Sequence, residues 1–138
     1  MSAIYLLDTN MVGYAVRGRS PAARLKMEQE ITRSVLFIST ITEAEILFGL
    51  ARKPEATRLR EAMDAFFATV SVLAWDSGAA RAYATLQVQM AESGRSLGNM
   101  DMLIAAHALA IKATLVTADK AFSGIDALRP VENWATDL

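Results

Sequence analysis

Residues 3–10, AIYLLDTN, run from five apolar positions straight into a carboxylate and two more polar residues. An apolar run without alternation reads as a strand covered on both faces, the pattern of a parallel sheet. VLFIS (35–39), VSVLA (70–74) and ATLVT (113–117) repeat that pattern. LRPVE (128–132) is weaker and suits an edge strand, where Pro130 is tolerated. Asp8 by itself means little, since Asp favours turns and helix caps. It gains meaning only if other acids lie beside it.

Helical patterns fill the intervals. Ser20-Pro21 supplies a cap and a first helical residue. Thr42 reads as the cap of EAEILFGLAR, with Ala44, Leu47, Phe48 and Ala51 facing inward. Pro54 reads as the start of PEATRLREAMDAFFA, whose Leu59, Met63, Phe66 and Phe67 share a face. Asp76 caps SGAARAYATLQVQMAES, which ends at Gly94, and Asn99 or Asp101 opens MLIAAHALAI. Alternating strands and helices without a linker or repeat predict one α/β domain over residues 1–138, with right-handed crossovers.

The bulk numbers narrow the function. A chain of 138 residues with 53% hydrophobic content buries a core without staples, and the absence of cysteine excludes disulfides and thiolate metal sites. MSAIYLLDTN lacks the basic and apolar regions of a signal peptide, and no run approaches a membrane span, so a cytoplasmic protein without membrane contact is expected. Fourteen basic against 15 acidic residues argue against coating nucleic acid by charge alone. An enzyme acting on nucleic acid stays open, because a bound cation supplies local positive charge.

In an open parallel sheet, sites form beyond the carboxyl ends of the strands. Asp8 follows the first strand, Glu45 the second and Asp119 the fourth, while Asp101 opens the helix leading to the fourth. Each acid has a plainer reading as a turn, cap or helix-terminal residue. Together they would repel one another unless a cation sat among them. Carboxylates and water are the ligands that Mg²⁺ and Mn²⁺ favour, and such an ion serves phosphodiester hydrolysis.

LLDTN, ISTITEAEILFG, GRSLGNMDMLIAAHALA and LVTADKAF occur in the order and approximate spacing of PIN-domain ribonucleases. The chain resembles the VapC-type toxins of bacterial toxin–antitoxin pairs over nearly its whole length. The resemblance implies a parallel sheet of four to five strands in the order 3-2-1-4-5, flanked by helices. It implies a Mg²⁺- or Mn²⁺-dependent endoribonuclease that cleaves single-stranded regions of tRNA, rRNA or mRNA, leaving 5′-phosphate and 3′-hydroxyl ends. It also implies a homodimer, a cognate VapB-like antitoxin, and promoter DNA bound only through that antitoxin. Carried over by position, the catalytic and metal-holding residues are Asp8, Glu45, Asp101 and Asp119, with Asn10 and Thr117 as their supports. Glu43 lies about 200° from Glu45 around a helix and is assigned to the helix N-terminus instead.

Other residues weigh less. His107, the only histidine, reads as a packed or interface residue, which argues against a histidine-based nuclease. Arg95 meets RNA phosphate or is simply solvated. Met90, Met100, Met102 and Leu97 read as core, with a dimer contact as the other option. Two alternative functions compete with the nuclease. One is a non-enzymatic partner in a DNA-binding repressor complex. The other is a haloacid-dehalogenase-like phosphatase, which wants a second acid where this chain has Asn10.

Overall fold

The computed structural model describes residues 3–128 and 130–138. Five strands, β1 (Ile4–Leu7), β2 (Val35–Ser39), β3 (Ser71–Leu73), β4 (Thr114–Val116) and β5 (Val131–Glu132), form one sheet ordered β3-β2-β1-β4-β5. Every neighbouring pair is parallel, as the continuous apolar runs predict. The helices are α1 (Thr9–Val16), α2 (Pro21–Ile31), α3 (Thr40–Ala51), α4 (Thr57–Phe67), α5 (Ser77–Ser93) and α6 (Asn99–Ile111). The expected edge strand is β5; Arg129, within LRPVE, lies outside the described residues.

Side chains alternate across each strand, so the sheet feeds two cores. Tyr5, Leu7, Leu36, Ile38 and Val116 pack with the buried sides of α1 to α4. Leu6 and Leu115 face the opposite way, onto Leu86 and Met90 of α5 and Met102, Ile104, Ala105 and Ala108 of α6. Among the described residues, no helix is long and apolar enough to cross a membrane.

Three local expectations are corrected. α1 carries no clear helical pattern, because Val12, Gly13 and Val16 lower its helix propensity. The helix forms because Asp8 caps it and Met11, Val12, Ala15 and Val16 are buried. Pro54 does not start α4: the Arg52–Ala56 turn joins α3 to α4, and the helix begins at Thr57 behind Ala56, which offers no side-chain cap.

Thr42 does not cap α3. Ser39, still in β2, accepts a hydrogen bond from the Ile41 N–H at 3.1 Å and starts the helix earlier. The buried face is therefore Thr42, Ile46 and Leu50. Ala44, Leu47, Phe48 and Ala51, expected inward, are exposed, with Leu47 at 51% and Phe48 at 63%. Periodicity alone finds this stripe, but not which side of the helix meets the sheet. Ser20, Asp76 and Gly94 take their expected cap positions, and Met63 and Phe66 are buried on α4 with Leu59 and Phe67 packed beside them.

Candidate active site

The backbone N–H of Asp8 donates to the Val116 carbonyl at 3.0 Å, which fixes the residue between the ends of β1 and β4. Its Oδ1 accepts from the Met11 N–H at 2.8 Å, so Asp8 is also the α1 cap. Only 6% of its surface is exposed. Burial pushes its pKa up to about 6, against the hydrogen bonds from Thr117 and Met11; the charges of Asp101 and Asp119 push further upward.

Asp101 stands in the first turn of α6, half-buried. Burial, then Asp119, then Glu45 raise its pKa. Asp119 follows β4 and caps a short 3-10 turn (Lys120–Phe122), its Oδ1 accepting from the Ala121 N–H at 2.9 Å. Glu45 flanks the buried face of α3, and its Oε1 accepts from the Thr9 hydroxyl at 2.5 Å. Two strand ends, α3 and the α6 N-terminus thus place Asp101 within electrostatic reach of Asp8, Asp119 and Glu45, and Asp8 within reach of Asp119. No cation is among the groups that perturb Asp8 or Asp101.

The donor set suits a hard divalent ion: oxygen ligands, excess negative charge and one carboxylate resisting ionisation by burial. Among the described residues, however, no three carboxylates are gathered closely enough to hold an ion directly as they stand. Local hydrogen bonds explain this. Asp8, Asp119 and Glu45 each commit one oxygen to α1, the 3-10 turn or Thr9, and Asp8 is further bonded to Thr117. Such a set fits an ion that keeps several waters, as Mg²⁺ commonly does.

Thr117 is 2% exposed; it contacts the Asp8 carboxylate and accepts from the Asp119 N–H at 3.0 Å, tying two of the acids together. Asn10 is exposed on α1 and borders the cleft beside Glu45. Thr9 and Thr42 were missed. Thr9 bonds Glu45, and the hydroxyl oxygen of Thr42, fully buried, lies 3.2 Å from that of Thr9. Reading Asp8 as a helix cap would have placed Thr9 in the first turn of α1, facing α3. Glu43 lies in the first turn of α3, as assigned.

His107 is 1% exposed in the middle of α6, its Nδ1 without a hydrogen-bond partner among the described residues, and burial lowers its pKa against the pull of Asp76. It is a packed residue remote in character from the acids. Arg95 lies against Gly124, its guanidinium Nη1 in the space a Cβ there would take, and a side chain at that position would displace the arginine. Met90 and Met102 are core, Leu97 packs beside them, and Met100 is exposed at 43%.

The description "PIN domain" belongs to the family model that matches residues 5–128. The chain is a member of the PIN-domain family. This PIN domain is 31% identical to "Ribonuclease VapC2" of Rickettsia felis, with 95% of this chain and 98% of that protein covered. It is 25% identical to the "tRNA(fMet)-specific endonuclease VapC" of Shigella flexneri over 95% of this chain and 98% of the relative. Among solved structures, the PIN domain is similar to a chain of VapBC2 from Rickettsia felis bound to a promoter DNA fragment. The TM-score is 0.87 at 30% identity, covering 95% of this chain and 98% of that one. It is also similar to a chain of DNA-bound VapBC from Salmonella typhimurium, with a TM-score of 0.85, 26% identity and coverage of 97% and 99%. Membership in this family sets aside the phosphatase alternative.

Proposed function

We propose that this PIN domain is the ribonuclease toxin of a VapBC-type toxin–antitoxin pair, cleaving single-stranded regions of RNA with the help of Mg²⁺ or Mn²⁺. The observation that carries the reading is the convergence of Asp8, Glu45, Asp101 and Asp119 from separate elements, with no cation among the groups that perturb Asp8 or Asp101, in a chain matching VapC ribonucleases over nearly its full length. An ion held there would supply an activated water and stabilise charge on the phosphodiester. Asp8, held by Met11 and Thr117, would be the fixed ligand. Asp101 and Asp119 complete the charge. Glu45, oriented by Thr9, would hold a ligand water or the ion itself.

A VapB-like antitoxin is the proposed partner, and promoter DNA is bound through it; an antitoxin arginine suits this acidic site. The related VapBC structures with DNA support that reading. A repressor role for the complex is compatible with nuclease activity of the free toxin.

Glu45→Gln is expected to lose RNA cleavage by on the order of 10²–10³-fold, the scale for removing one preorganised electrostatic group. Glu43→Gln should stay within a few-fold of wild type. Initial rates with Mn²⁺, alongside circular dichroism for folding, decide this. A dead Glu43→Gln beside an active Glu45→Gln would reverse the assignment.

The exposed stripe of Ala44, Leu47, Phe48 and Ala51 is the proposed homodimer face. The Arg52 guanidinium lies 5.5 Å from the centroid of the Phe48 ring, a cationic rim to an apolar patch. Phe48→Glu should convert a dimer to a monomer in light scattering. An unchanged mass for that variant would place the interface elsewhere.

A further inference from the structure

A cleft of about 400 Å³ opens between α1, α3 and α4, with Glu45 at its border. Gly13 and Gly49 line it, and a Cβ on either would meet nothing within 4 Å, so both walls stand back from one another. Tyr14, partly buried, adds an aromatic ring to the lining, and Arg17 and Arg19 add two exposed cations. Neither guanidinium has an ion-pair or side-chain hydrogen-bond partner among the described residues, whereas Arg24 nearby is bonded to the Ala15 and Val16 carbonyls.

The cleft therefore runs from a carboxylate that borders the candidate ion site to two unpartnered arginines. The whole chain carries a net charge of −1 and does not attract a polyanion in bulk, so phosphate binding must come from local cations. An aromatic ring beside arginines is the combination that holds single-stranded nucleic acid: bases stack on the ring and phosphates pair with the cations. We propose that this cleft carries the RNA strand flanking the cleavage point, with Tyr14 stacking on a base and Arg17 and Arg19 binding phosphates. This inference rests on the ribonuclease reading above. Arg17 and Arg19 are binding residues in it, and the carboxylates remain the reacting site.

The test is the KM and kcat for cleavage of a short single-stranded RNA with Mn²⁺, over a range of KCl concentrations. Wild type is compared with the Arg17→Ala/Arg19→Ala double variant, Tyr14→Ala, Tyr14→Phe and Arg81→Ala. Arg81 is an exposed arginine on α5, which packs on the other side of the sheet. The double variant should raise KM on the order of tenfold near 0.1 M salt, with the effect on KM rather than kcat. Its log–log salt dependence should be shallower by about 1.4, since each single-strand phosphate contact contributes about 0.7. Tyr14→Ala should raise KM and Tyr14→Phe restore it, because stacking needs the ring and not the hydroxyl.

A double variant with wild-type KM and salt slope would overturn the proposal. So would equal losses in Arg81→Ala, which would mean a general charge effect. If the double variant cleaves RNA normally but binds the antitoxin less tightly, the cleft belongs to a peptide and the RNA assignment is wrong. A wild type that cleaves no RNA would overturn the ribonuclease reading and this inference with it.

Discussion

Asp8→Asn is expected to fall on the order of 10³-fold in RNA cleavage while melting higher than wild type, by roughly 5–10 °C at pH 7 without metal. Asp8 is nearly sealed from solvent, and burial lifts its pKa to about 6 from the ordinary 3.8. Keeping it ionised at pH 7 then costs the native state roughly 3 kcal/mol. Asparagine has the same shape and still accepts from the Met11 N–H, so the α1 cap survives. Its amide nitrogen must now use the Thr117 hydroxyl, which already accepts from the Asp119 N–H, and that conflict takes back about 1 kcal/mol. About 2 kcal/mol of net gain remains. Asp8→Ala should go the other way in stability, because the Met11 N–H loses its cap and a small void opens, at a cost of about 1–2 kcal/mol. Opposite melting shifts for Asn and Ala, with both inactive, separate a functional charge from a structural cap. A lower melting point for Asp8→Asn than for wild type would mean that the carboxylate is a well-accommodated cap and carries no functional strain. The trade is a general one, in which a site keeps charge for function against stability.

The sheet was legible because each strand is a short apolar run that a parallel sheet covers on both faces, and four of the five runs match observed strands to within a residue at each end. Asp8 and Asp119 were legible because they follow strands, and Glu45 and Asp101, which lie on helices, because the family motif fixes their order. What sequence did not give lies where tertiary contacts decide. In α3 two apolar stripes compete: one carries Ile46 and Leu50, the other Leu47 and Phe48. Their hydrophobicity is comparable, so only the angle at which Ser39 launches the helix from β2 selects between them. The same launch puts Thr42 inside and aims Glu45 at Thr9. In α1 weak propensity hid a helix that exists by capping and burial. The cleft with Tyr14, Arg17 and Arg19 was invisible for the same reason, since its near wall is that helix.

The dependence of stability on pH should expose the acids as a group. Asp8 and Asp101 both have raised pKa values, so their native states hold protons more tightly than the unfolded chain does. The stability this gives is fully present below the ordinary carboxylate pKa and is lost as pH rises through about 6. His107 acts oppositely. Burial lowers its pKa, so its contribution is present at neutral pH and lost as pH falls through the ordinary histidine range. A raw melting curve against pH mixes the two. The difference between wild type and Asp8→Asn cancels His107 and leaves Asp8. In metal-free buffer, wild type should lose on the order of 1 kcal/mol relative to Asp8→Asn between pH 5 and pH 7. Mn²⁺ should reverse that loss, because ligand carboxylates must be deprotonated to bind and binding stabilises by mass action. At a hundredfold excess over its dissociation constant the gain is about 2.7 kcal/mol. It should be larger at pH 7 than at pH 5, and small at both in Asp8→Asn. The measurement is thermal melting of both proteins at pH 5, 6 and 7, with and without MnCl₂. Mn²⁺ gains that do not depend on pH, or that are equal in the two proteins, would place any bound ion away from Asp8. In that case the carboxylates at the strand ends would be caps that happen to be neighbours.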